Sequence, residues 1–102
     1  MGAIDVWAQI TTDRFAQQDW LATLWRWTGR EGDPKPTSVA QTLTAMDEAG
    51  VDIALLSAWY GPQGALISNE ELKTQIDAAP TRFRGLISVD LRTPMHAVRT
   101  IR

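Results

Sequence analysis

The longest nearly unbroken apolar run is Val51–Trp59, Val-Asp-Ile-Ala-Leu-Leu-Ser-Ala-Trp, bracketed by Gly50 and by Gly61-Pro62. A strand wetted on one face alternates apolar with polar residues. A branched run of this length instead predicts a strand covered on both faces, as in a parallel sheet. Upstream, Val39, Leu43 and Met46 recur at spacings of four and three behind Pro36-Thr37-Ser38. That pattern predicts a helix capped by Thr37 or Ser38 and stopped at Gly50. Ala3–Ile10 reads as a first strand, with Ile4, Val6 and Ala8 on one side and Asp5, Trp7 and Gln9 on the other. Thr11-Thr12-Asp13 supplies a stop and an N-cap. Arg14 to about Trp27 then reads as one helix with Trp20, Leu21, Leu24 and Trp25 on its stripe. Thr28–Pro36, rich in glycine and proline, is a loop.

After Tyr60 a loop is expected through Ile67. Ser68-Asn69-Glu70-Glu71 then has the form of a capping box, with Leu72, Ile76 and Ala79 as the buried line of a helix that Pro80 closes. Arg82–Leu91 predicts a third strand, apolar from Phe83 to Val89. Thr93-Pro94 looks like a cap and first-turn proline, with Met95, Val98 and Ile101 as the inner face of a last helix. Strand-helix alternation of this kind argues for parallel strands with crossover helices. Strand starts near residues 4, 51 and 84 imply roughly 35–45 residues per unit, and eight such units make a (β/α)8 barrel of about 300 residues. The expected class is therefore α/β: the first three βα units of a TIM barrel, truncated at Arg102, which three strands alone cannot close. Residues 1–102 form one domain, with a Trp-rich helical insert and loop at 14–36.

Chemistry in parallel α/β folds sits at the C-terminal ends of the strands. Trp7, Trp59, Tyr60 and Asp90 are placed there, as pocket walls or as packing, and Asp90 as a functional carboxylate or an end-of-strand hydrogen bond. Asp5 lies deeper and reads as a buried structural carboxylate. Asp47 and Glu48, late in a helix, read as solvated, as do Arg26, Arg30 and Lys35 in their loop. His96, the one histidine, falls on the last helix at the surface.

Composition narrows the classes further. The chain has 102 residues, 44% of them hydrophobic, and a net charge of -2, as in one ordered globular unit without an electrostatic case for nucleic acid or an anionic membrane surface. It has no cysteine, which excludes disulfides and thiolate metal sites. No apolar run approaches the ~18 residues of a membrane span. Met1-Gly2-Ala3-Ile4-Asp5 lacks the features of a signal peptide, so a cytoplasmic location is expected. Gly-x-Gly-x-x-Gly and phosphate-loop motifs are absent, and Gly61-Pro62-Gln63-Gly64 is a turn.

Thr44-Ala45-Met46-Asp47-Glu48-Ala49-Gly50-Val51-Asp52, running into an apolar strand, resembles the amidohydrolase-related superfamily. More narrowly, it is similar to the branch of metal-dependent decarboxylases of aromatic and conjugated carboxylic acids. Ser68-Asn69-Glu70, Ala79-Pro80-Thr81-Arg82-Phe83-Arg84-Gly85-Leu86, Val89-Asp90-Leu91 and Ile4-Asp5-Val6 extend the likeness over nearly the whole chain outside the Trp-rich insert. The resemblance implies a TIM barrel with a divalent metal, zinc or manganese, bound in part by His-x-His or Glu-x-His on the first strand. The matching positions here are Trp7 and Gln9. Indole offers no lone pair to a metal, and the amide oxygen of Gln9 offers a weak one. Gln9 thus joins the pocket candidates, and no metal ligand is assigned in this chain.

Three readings follow. The chain is the N-terminal fragment of an amidohydrolase-related hydrolase or decarboxylase acting on a small organic or aromatic acid or amide, inactive by itself. Alternatively, it is a non-catalytic small-acid-binding relative that has lost the strand-1 metal ligands. Or it is a small module that completes its sheet as a homo-oligomer. In the first two the partner is a small molecule.

Overall fold

The computed structural model describes residues 2–102; Met1, used above only in reading the chain's start, lies outside the described residues. The order is β1 (Ala3–Ala8), α1 (Asp13–Ala16), α2 (Asp19–Trp27), α3 (Val39–Ala49), β2 (Val51–Ser57), β3 (Trp59–Gly61), β4 (Gly64–Ile67), α4 (Asn69–Ala78), β5 (Phe83–Leu86) and α5 (Pro94–Ile101). β1, β2 and β5 form one parallel sheet with β2 in the middle, while β3 and β4 pair antiparallel as a separate hairpin.

The helix ends follow from local chemistry. Ser38 caps α3 and Ser68 caps α4, each in a reciprocal box with the residue three further on, Gln41 or Glu71. Gly50 closes α3 at φ 72°, a left-handed conformation that would strain a residue with a Cβ, and the chain turns directly into β2. Met46 and Leu72 meet Ala54, Leu56 and Phe83 in the main core, so α3 and α4 cover one face of the sheet. Burying side chains as large as Leu56, Leu72 and Phe83 contributes about 1.5–3 kcal/mol each. Gly85 permits the closeness of α4, since a Cβ there would lie 2.6 Å from Ile76 Cδ1.

At the N-terminal end of the strands, Arg82 ties the layers together. Its Nε donates to Asp52 O at 2.7 Å and its Nη2 to Val51 O at 2.9 Å, while Nη2 also pairs with Asp47. Asp47 is therefore engaged rather than simply solvated. In the Trp-rich loop, Arg30 lies 4.4 Å from the Trp25 ring centroid, a cation–π contact in place of free solvation.

Several expectations are corrected. The helix read over residues 14–27 is two helices broken at Gln17-Gln18, which lets Phe15 and Leu21 enter one cluster with Leu66 and Ile67. The expected loop through Ile67 contains the β3–β4 hairpin. β1 ends at Ala8, not Ile10, and a register irregularity separates Asp5, opposite Ala54, from Ala8, opposite Leu56. Two residues, Val6 and Trp7, thus face one, Leu55, as in a β-bulge, so the simple alternation assigned to this strand does not hold. Asp5 is exposed, its carboxylate accepting from the Trp7 N–H at 3.0 Å. β5 stops at Leu86, because the Asn69 side chain takes both the N–H and C=O of Ser88, groups a longer strand would offer to a neighbour. α5 buries Ala97 alone, leaving Met95, Val98 and Ile101 exposed.

The sheet is covered on one face only. On the other face β2 keeps Ile53 and Leu55 half-buried rather than enclosed. The molecule measures 42 × 35 × 18 Å with a radius of gyration of 14.7 Å, against about 13 Å for a closed domain of this length.

Candidate functional site: an aromatic surface at the strand ends

β1 and β2 deliver Trp7 and the hairpin residue Trp59 to the same end of the sheet. Their rings lie nearly parallel, 10° apart with centroids 6.3 Å distant. Trp59 also stacks on Trp20 of α2 at 6.0 Å, and Phe15 of α1 meets both Trp20 and Trp59 edge-on at 5.4 Å. Such offset and edge geometries suit aromatic quadrupoles and add about 0.5–1.5 kcal/mol per pair beyond area burial. Trp20 of the α1–α2 segment is therefore part of this surface. No helical spacing signals it, since Phe15 and Trp20 are five residues apart and lie on different helices.

The hairpin is anchored beside this cluster. Thr12, the N-cap of α1, donates its hydroxyl to Leu66 O and accepts from Phe15 N. Arg14 donates to Ala65 O at 3.2 Å and pairs with Glu71. Burial of Glu71 opposes its ionisation, but hydrogen bonds from the Ser68 backbone and hydroxyl, with the charge and hydrogen bond of Arg14, hold its carboxyl below the usual value of 4.5.

Tyr60 and Asp90 come together at a second place. They line an open groove of about 360 Å³ with Pro62, Val89 and Arg92. Asp90 is not at a strand end, as expected, but in the turn after β5. Its Oδ1 accepts from Arg92 N at 2.9 Å and its two oxygens receive Arg92 Nε and Nη2. The Arg92 side-chain hydrogen bonds are the main cause that lowers the Asp90 pKa, and Asp90 in turn raises that of Arg92. A carboxylate held ionised in this way is a poor proton acceptor near neutrality, which favours the structural role over a base. Ser88 fixes the same turn, donating its hydroxyl to Ala58 O at 2.9 Å.

Gln9 follows β1 and is half-buried. Its Nε2 is buried without a hydrogen-bond partner among the described residues. His96 is exposed on α5. Among the described residues no three of His, Cys, Asp and Glu gather closely enough to hold a metal ion. The donor chemistry at positions 7 and 9 agrees: an indole stacked on Trp59 and a buried amide do not fit zinc or manganese. No helix among the described residues is long and apolar enough to cross a membrane.

No family model and no curated protein sequence matches the chain. A solved structure does: a probable 2-pyrone-4,6-dicarboxylic acid hydrolase from Acinetobacter baumannii with citric acid bound. The TM-score is 0.58 at 17% identity, over 99% of this chain and 34% of that one. The likeness is one of fold. The chain spans about a third of the length of that structure, and its parallel three-stranded sheet with helices is consistent with part of a TIM-barrel-like domain.

Proposed function

We propose that this chain is the N-terminal part of an amidohydrolase-like barrel whose strand ends bind a small planar organic acid, the hydrolysis or decarboxylation itself drawing on groups outside residues 2–102. The observation that carries the reading is the Trp7 indole, 66% exposed yet held parallel to Trp59. A ring presented in this way favours a flat conjugated ligand by stacking, and it stands where the resembled family carries a metal ligand. The fold likeness and the citric acid in the similar structure support an organic-acid ligand by analogy.

Titration of intrinsic fluorescence with benzoate, beside cyclohexanecarboxylate as a non-planar control, tests the reading. Saturable quenching by benzoate, severalfold weaker in Trp7→Ala, is expected, with no turnover of aromatic acids or amides by the chain. Absence of quenching at millimolar benzoate, or equal quenching in Trp7→Ala, counts against it. The second reading, a binder without catalysis throughout, is favoured by the same indole and by Gln9. Product formation by a longer polypeptide carrying this chain would exclude that second reading.

A further inference from the structure

Trp7 owes its orientation to residues far from it in sequence. It stands in the irregular part of β1 and is largely exposed, so its own strand does little to fix the ring. Among the described residues, Trp59 is the aromatic ring through which Trp7 joins the cluster. Trp59 meets Trp7 at 6.3 Å, Trp20 at 6.0 Å and Phe15 at 5.4 Å. Trp59 is held in turn. It opens the hairpin opposite Ile67, which is fully buried in one cluster with Phe15, Leu21 and Leu66. The hairpin carbonyls of Leu66 and Ala65 accept from Thr12 and Arg14 at the start of α1. Helix α1 and the first turn of α2 therefore brace Trp59 across the elbow at Gln17-Gln18.

We infer that Trp20 and Phe15 are positioning residues for the planar-acid site: they touch Trp59 and, through it, hold the Trp7 indole ready for a flat ligand. The inference rests on the organic-acid reading and adds what sets its selectivity. A tryptophan free to turn must be immobilised when a ligand stacks on it, and that ordering weakens binding roughly two- to tenfold. A ring already held parallel to its neighbour avoids the loss. It also favours flat ligands over puckered ones, because only a flat face meets a fixed ring over its whole area.

Trp20 bears the test, since it is 44% exposed and lies outside both core clusters. Binding of benzoate and of cyclohexanecarboxylate is followed on the ligands' own NMR lines, a readout independent of how many indoles the protein keeps. Near-ultraviolet circular dichroism, as the difference between each protein and its Trp7→Ala counterpart, reports the order of the Trp7 ring without any ligand. Trp20→Leu should bind benzoate roughly two- to tenfold more weakly and lose most of the preference for it over cyclohexanecarboxylate. It should also lose most of the Trp7 signal, with an unchanged far-ultraviolet spectrum. Trp20→Phe, which keeps a ring beside Trp59, should recover most of each loss. If Trp20→Leu unfolds, Phe15→Leu decides by the same readings. Wild-type affinity, preference and Trp7 signal in folded Trp20→Leu overturn the inference and leave the organic-acid reading standing. Equal weakening of both ligands with the Trp7 signal intact overturns it too, as the mark of a merely structural role. No benzoate binding by wild type fails the organic-acid reading itself, and the positioning role with it.

Discussion

Glu71 shows how much one side chain can join: it closes the capping box of α4 and pairs with Arg14 from α1, beside the hairpin that Arg14 also holds. Because its folded pKa lies below the ordinary 4.5, it adds stability above that value and loses it as pH falls through the lowered folded pKa. Glu71→Gln preserves a box partner, as Gln41 does in α3, but removes the charge facing Arg14. Urea melts should show a loss below about 1 kcal/mol at neutral pH, as for an exposed pair, and a flatter decline on acidification than in wild type. A decline as steep as wild type below pH 4.5 would mean that Glu71 does not carry it. The box itself was legible from Ser68 and Glu71, three residues apart. The Arg14 pairing, across 57 residues, was not, because nothing in a local pattern encodes which distant segment arrives.

At the scale of elements, the caps and stops were readable wherever a residue acts on its own neighbours. Ser38, Ser68 and Gly50 fall where their side chains or φ require. The parallel strands followed from their apolar runs. The hairpin is not legible in the sequence because β3 and β4 are three and four residues long, too short for a period to show. β5 was overestimated because Phe83–Val89 is apolar, whereas Asn69 stops it by capturing Ser88. α5 has the expected amphipathic stripe, yet Met95 and Ile101 stay 67% and 65% exposed. Periodicity reports which side of a helix is apolar and not whether anything packs on it. No residue of α5 joins either core cluster, so α5 should open locally before the other helices. Native-state hydrogen exchange is expected to find Val98–Arg102 amides far less protected than those of β2, and equal protection would show that α5 is packed.

For the whole molecule, flatness is the governing property. An 18 Å slab is one sheet and one helical layer thick, so the side that α3 and α4 leave open has no cover from within residues 2–102. Of the candidates drawn from the sequence, the fold joins Trp7 with Trp59 and Tyr60 with Asp90. The aromatic surface was half legible, from the strand-end positions of Trp7 and Trp59; Trp20 and Phe15 join it only through the elbow between α1 and α2.

The extra residue in β1 also limits what this chain can become. Fibrils grow when a flat margin of free amide and carbonyl groups templates the next molecule. At Val6-Trp7 that margin is kinked and one rung falls out of step. Growth along β1 is thereby interrupted midway, and a shortened strand lacking Val6, with that interruption removed, would be the more amyloid-prone protein.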